Sequence, residues 1–185
     1  MTQPSTIPLE DAVRQIELVC RRLGLLHLAF SDVLIEEYGD EMGRRLIIRA
    51  IKKYGCLIGE AKRKKAIADG LPLTPEAMAK YRDIPTIGMH RRAESVEVDG
   101  ERRRRAYGCV MAKVWHEYGR DDVGRLYCFV DPASAMTFNP DFKTAHTRAE
   151  PDGDPYCELV NRPTTEKDRS EIEKQDPDWE AIDRC

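Results

Sequence analysis

The chain has 185 residues, 41% of them hydrophobic, which suffices for one domain with a buried core and is too apolar for a disordered segment. Thirty basic against thirty-three acidic residues leave a net charge of −3, a balance that argues against a dedicated nucleic-acid binder. No run of about 18 apolar residues occurs, so no membrane partner is expected, and MTQPSTIPLEDAVRQ lacks the basic and apolar blocks of an export signal, so a cytoplasmic location is expected.

The first third reads as helix. Leu9, Val13, Ile16, Cys20 and Leu23 recur at spacings of three and four, with Pro8 near the start and Gly24 as the stop. A second helix runs from Leu26 to Tyr38 and is broken by Gly39; a third runs from Asp40 toward Ala68. Thr74-Pro75-Glu76 signals a short fourth helix, an N-cap followed by proline at the first helical position. AESVEV and ERRRRAY flank Asp99-Gly100, a tight-turn pair, and predict a hairpin. Helical spacing returns over Cys109–Tyr118 and Asp122–Val130, with Pro132 and Pro140 limiting continuation. FKTAHTRAE and YCELVNR, joined by PDGDP, predict a second hairpin. Residues 162–185 carry eight acids and five bases, the whole net charge, and read as a docked or partly disordered tail anchored by Trp179 and Ile182. The expected fold class is α+β, a single domain over 1–161: a helical part (1–83), a motif-bearing part (92–161), then the charged tail.

The six cysteines stand at 20, 56, 109, 128, 157 and 185 without a CxxC pair, so thiols, ligands or buried filler are expected rather than disulfides. Cys109 opens a helix, where the dipole favours a thiolate, and His116 follows two turns later. Cys128 and Asp131 are one turn apart and can face together. Bland readings stand beside these. Cys20 and Cys56 are ordinary buried positions, Cys185 is incidental, and His27 and His90 have no supporting context. His116 can simply face solvent, Asp131 before Pro132 can simply cap a helix, and Trp115 can simply be core or pocket wall. His146 on the second hairpin is a further potential ligand. The Arg102–Arg105 run reads as a solvated strand edge, with a substrate carboxylate as its alternative use.

In order, a cysteine near a helix start, W-x2-YG, YC-x2-D, FNP and GD-x2-CE are carried here by Cys109, Trp115, Tyr118, Gly119, Cys128, Asp131, Phe138, Asn139, Pro140, Gly153, Asp154 and Cys157. This series resembles the L-2-amino-thiazoline-4-carboxylic acid hydrolase family, whose C-terminal half in turn resembles the vinyl reductase ligand-binding domain. Val110 departs from the pattern, which has proline after the first cysteine.

The resemblance implies an N-terminal helical layer on a small antiparallel sheet with two further helices, as in vinyl reductase and trafficking-complex domains. It implies a hydrolase that opens a small cyclic amidine or cyclic amide by adding water at a carbon flanked by nitrogen or sulfur. Such chemistry needs a nucleophile, a proton donor and stabilisation of a tetrahedral intermediate. The catalytic candidates are Cys109, Cys128, Asp131, His116 and Cys157, with Trp115 and Asn139 as substrate-binding candidates. Some vinyl reductase relatives hold zinc through cysteines and a carboxylate. If a divalent metal such as zinc is the cofactor, Cys109, Cys128 and Cys157 are its expected ligands, with Ala149 at the place of a fourth. The expected partner is a small heterocyclic substrate, and a homo-oligomer is compatible with this layout. The competing readings are a small-molecule or metal sensor of the vinyl reductase type, which would normally be fused to an output module, and a structural adaptor, which would not need the cysteines. Fold alone does not choose among them.

Overall fold

A computed structural model of the chain describes residues 6–184. Among the described residues, nine helices and four strands follow one another in an α+β arrangement. Helices α1 (Leu9–Tyr38), α2 (Asp40–Ala68), α3 (Pro75–Lys80) and the short turn α4 (Thr86–Met89) lead into strands β1 (Arg92–Val98) and β2 (Glu101–Tyr107). Then come α5 (Val110–Glu117), α6 (Asp121–Tyr127), α7 (Val130–Phe138), β3 (Phe142–Arg148), β4 (Cys157–Pro163), α8 (Glu166–Glu173) and α9 (Trp179–Asp183). The strands form one antiparallel sheet in the order β1-β2-β4-β3.

Both hairpin expectations hold. Asp99 and Gly100 adopt positive φ (52° and 77°), the backbone of a tight two-residue turn, and β3 pairs with β4 across PDGDP. Thr74 caps α3, its hydroxyl accepting from the Ala77 amide at 3.3 Å. The chain does break at Gly39, whose φ is 78°.

Gly24, however, does not end a helix. It lies inside the continuous 30-residue α1, where its missing side chain lets α5 approach; a Cβ there would meet Val114 Cβ at 3.3 Å. Glycine costs roughly 1 kcal/mol against alanine in a helix interior, and the packing gained against α5 offsets it. The run expected over Asp122–Val130 is two helices, α6 and α7, joined through Cys128 and Phe129. Pro132 does not limit α7, because it falls in the first turn, where its missing N–H would have no intrahelical partner. Val110 is the first residue of α5, a position that proline and other residues can share, so the departure from the family pattern leaves the helix start intact.

The tail is docked. A capping box between Thr165 and Asp168 starts α8, and Lys143 of β3 reaches Asp168 at 2.9 Å. Trp179 stacks on Phe129 (5.5 Å between centroids), and Ile182 joins the main core with Trp115, Val114 and Val123. The arginine run is not at a sheet edge: β2 lies between β1 and β4. Strand alternation sends Arg103 and Arg105 to buried Glu158, at 2.9 and 2.7 Å, and Arg104 to the opposite face.

Helix α7 is packed between α2 and β3. Gly55 and Gly59 make this possible. A Cβ on Gly55 would come within 2.8 Å of the Val130 carbonyl oxygen, and one on Gly59 within 2.3 Å of the Ser134 carbonyl oxygen. Gly59→Ala should therefore force the two helices apart and destabilise the protein by about 1–3 kcal/mol in urea unfolding. Glu60→Ala, on the exposed face of the same helix, should change stability by less than about 0.5 kcal/mol.

Candidate active site

Register pairs Ala106 with Cys157, and Leu159 with both Arg104 and His146, so these side chains share one face of the sheet. Helices α2, α5 and α7 cover that face, leaving a cavity of about 200 Å³. A single water needs only about 10–15 Å³ on such a scale, so the space suits a small organic ring.

Cys109 enters as the cap residue before α5, Cys128 from the α6–α7 junction, and Cys157 from the first position of β4. Asp131 stands in the first turn of α7, and Trp115 closes one wall while its indole N–H donates to the Gly24 carbonyl at 3.3 Å. Sequence positions 48 apart thus meet at one cavity. The five cysteines among the described residues, these three included, are free; Cys185 lies outside that range.

Two expected residues are elsewhere. His116 projects from α5 into solvent, with 82% of its side chain exposed and Nδ1 3.1 Å from Asp121. Cys109 precedes the helix rather than belonging to it, so counting turns from it misplaced His116. Asn139 ends α7; its amide donates to the Leu73 carbonyl at 2.8 Å and its oxygen accepts from the Asp141 amide at 2.9 Å, a structural use of both groups.

His146 takes the place intended for His116. It is buried in β3 and lines the cavity, with Nε2 3.6 Å from Asp131 and Nδ1 bonded to Asp183 at 2.7 Å. Asp183 comes from α9 and is fully buried; its second oxygen takes a hydrogen bond from Arg125, which also donates to Asp152 at 2.9 Å. The tail thereby completes a polar chain, Arg125, Asp183, His146 and Asp131, of which the first three are buried. Periodicity could not point to Asp183, because its partner lies 37 positions earlier in a different element.

Burial raises the Asp131 carboxyl above the ordinary carboxylate range, against the pull of His146. Asp131 keeps 44% of its side-chain surface accessible while lining the cavity, so solvent tempers that rise. Burial pulls His146 down, but Asp183 and Asp131 outweigh it and raise its imidazole above the usual value. Asp183 is disfavoured by burial yet held low by His146 and Arg125.

The thiols are not preformed thiolates. Burial pushes Cys109 up to about 11 despite the amides of Ala112 and Met111, and Cys157 up to about 12 despite the Glu150 amide. Cys128 is pushed well above the usual thiol range, chiefly by burial. The helix start at Cys109 therefore does not yield the activated thiolate that its position suggests.

The three-cysteine metal site does not fit this arrangement. Among the described residues no group of three or more His, Cys, Asp and Glu side chains is placed to hold a metal ion. Glu150, the carboxylate closest in chain position to the absent fourth ligand, is turned onto the Gly108 and Cys109 amides at 2.7 and 3.1 Å. Among the described residues no helix is long and apolar enough to cross a membrane.

One comparison with known proteins falls on the segment that builds this cavity. A family model described as L-2-amino-thiazoline-4-carboxylic acid hydrolase matches residues 21–160, from the first helix to the last strand, and the family is named for hydrolysis. No curated protein and no solved structure matches the chain. With well over half its length matched, the chain belongs to the L-2-amino-thiazoline-4-carboxylic acid hydrolase family.

Proposed function

We propose that the chain opens a small heterocycle at its amidine or amide carbon, of the 2-aminothiazoline-4-carboxylate type, with Cys128 as nucleophile and Asp131 and His146 moving protons. The observation that carries this reading is the Asp131–His146 contact, 3.6 Å, in the wall of a cavity that also holds three thiols. A buried neutral thiol needs a base before it can attack, and Asp131 is one helical turn from Cys128. The thiol adds to the ring carbon as its proton passes to Asp131; the ring bond then breaks as that proton goes to the leaving atom. Water, deprotonated by the same carboxylate, attacks the covalent intermediate and returns the thiol. Asp183 fixes which nitrogen of His146 faces Asp131, the role of a third group behind an acid–base pair.

Ring opening of 2-aminothiazoline-4-carboxylate, followed by NMR, tests the reading directly. Cys128→Ser and Asp131→Asn should each lower kcat by about 10²–10⁴-fold while melting within a few degrees of the native protein. His116→Ala should leave the rate unchanged. Native-like rates in both Cys128→Ser and Asp131→Asn, or no turnover of any such ring by the native chain, would remove the proposal.

The pH dependence follows from the same groups. Asp131 must be ionised to act as base, and its raised value places the acid limb of kcat above the ordinary carboxylate range of about 4. His146 is also raised, so loss of its proton sets an alkaline limb above about 6.5; the two limbs belong to the pair.

Stability should report the buried ion pair. His146 gains stability that is complete below its unfolded value near 6.5 and lost as pH rises through its higher folded value. Asp183 contributes above about pH 4 and loses its contribution as pH falls through its depressed folded value. Asp183→Asn should therefore cost about 3–5 kcal/mol near pH 6, and distinctly less well above the folded value of His146, in pH-resolved urea unfolding.

A further inference from the structure

Two arginines at the cavity meet at one hydroxyl rather than at a carboxylate. Arg104 of β2 donates to the Thr86 hydroxyl at 3.1 Å, and Arg82 donates to the same oxygen. Among the described residues neither forms an ion pair with a carboxylate, whereas their neighbours Arg103 and Arg105 both hold Glu158. Asp131 lies on the same cavity but beyond ion-pair distance of either guanidinium. Two like charges meeting at one hydroxyl repel each other, and Arg104 is half-buried, so screening by water is reduced. Burial and the Arg82 charge together loosen the hold of Arg104 on its proton, against the opposing charge of Asp131.

Other polar groups in the same cavity are also unspent. The Nδ1 of His90 is buried without a hydrogen-bond partner, and so is the hydroxyl oxygen of Ser134, a residue that is only 4% exposed. Burial, with Arg104 and Arg82, lowers His90 to about 4, so the imidazole is neutral and adds no third cation. Thr86 accepts from both arginines, which leaves its own proton to give to a third group. Buried polar atoms in native proteins are rarely left unpaired without a partner to come.

We propose that Arg82, Arg104 and the Thr86 hydroxyl between them form the subsite that holds the carboxylate of the proposed ring substrate and select rings that carry it. The subsite lies where the cavity adjoins a second, open groove that Arg82, Arg104 and Asp131 also border. Guanidinium pairs match a carboxylate in geometry as well as charge, and a bound anion removes the repulsion between the two arginines. A carboxylate held by the arginines and a reacting carbon turned to Asp131 would together fix the ring in one direction. The inference rests on the ring-opening reading for its substrate and adds the residues that select the carboxylate.

The test compares 2-aminothiazoline-4-carboxylate with its neutral carboxamide, and, apart from turnover, measures calorimetric binding of thiazolidine-4-carboxylate, which has no C=N bond to attack. The native chain should favour the carboxylate by at least about 10-fold in kcat/KM. Arg104→Gln should raise KM for it by about 10–100-fold with kcat within a few-fold, abolish the preference over the carboxamide, and release thiazolidine-4-carboxylate; Arg104→Lys should restore part of each. Equal use of carboxylate and carboxamide by the native chain, or undiminished preference in Arg104→Gln, overturns the subsite and leaves the hydrolase reading standing. If no ring is opened, binding of thiazolidine-4-carboxylate that Arg104→Gln abolishes upholds the subsite while the hydrolase reading falls; no binding to the native chain overturns the subsite as well. Should Arg104→Gln fail to fold, the exposed Arg82→Gln and the native comparison of the two compounds decide.

Discussion

Close backbone contact between α2 and α7 sets the depth of the cavity and the direction in which its polar groups point. Gly55 and Gly59 stand four residues apart on one face of α2, directly under the Val130 and Ser134 carbonyls of α7. From that position α7 presents Asp131 and Ser134 to the cavity, and α2 contributes Tyr54, Ile58 and Lys62. Any side chain at Gly59 would lift α7 off its seat and carry Asp131 away from His146, which is fixed from the sheet. Dense packing transmits such a shift rather than absorbing it.

The polar groups are held with equal stringency from behind. His146 is not free to rotate, because Asp183 grips Nδ1, Arg125 grips Asp183, and Asp152 grips Arg125. A charge this deeply buried is costly unless each member is paired, and this chain is paired from β3 to the 3₁₀ turn at Glu150–Asp152. Around Arg82 and Arg104 the case is the reverse, since both guanidiniums share the Thr86 hydroxyl and, among the described residues, neither is in ion-pair contact with a carboxylate.

Local signals in the sequence were readable where a residue type forces a backbone conformation. Asp99-Gly100 specifies a tight turn, Thr74-Pro75 a helix start, and Gly39 a break, and each does so in the structure. The three clustered cysteines and Asp131 could be read because they share a motif series, not because any one of them is distinctive. Gly24 misled because a glycine that stops a helix and one that admits a neighbouring helix look alike until the neighbour is known. The α6–α7 junction was hidden by unbroken apolar spacing across Cys128 and Phe129. His146 and Asp183 were hidden more deeply. Each is unremarkable in its own segment, and their meaning lies in strand register and in how the tail folds back, neither of which is local information. The arginine run shows the same limit, since four like residues in a row conceal two opposite jobs.

That run gives strand pairing a chemical consequence. Side chains alternate between faces along a strand, so Arg104 looks into the cavity while Arg103 and Arg105 lock onto Glu158 behind it. A slip of β2 by one residue would keep the composition and the fold class, yet turn Arg103 and Arg105 away from Glu158 and Arg104 away from the cavity. Arg104 would no longer meet Thr86, and the buried glutamate would lose its matched pair. Under the proposed subsite, the charge of the ring that the cavity accepts is set partly by hydrogen-bond register, and the Asp99-Gly100 turn that sets the register becomes a distant determinant of it.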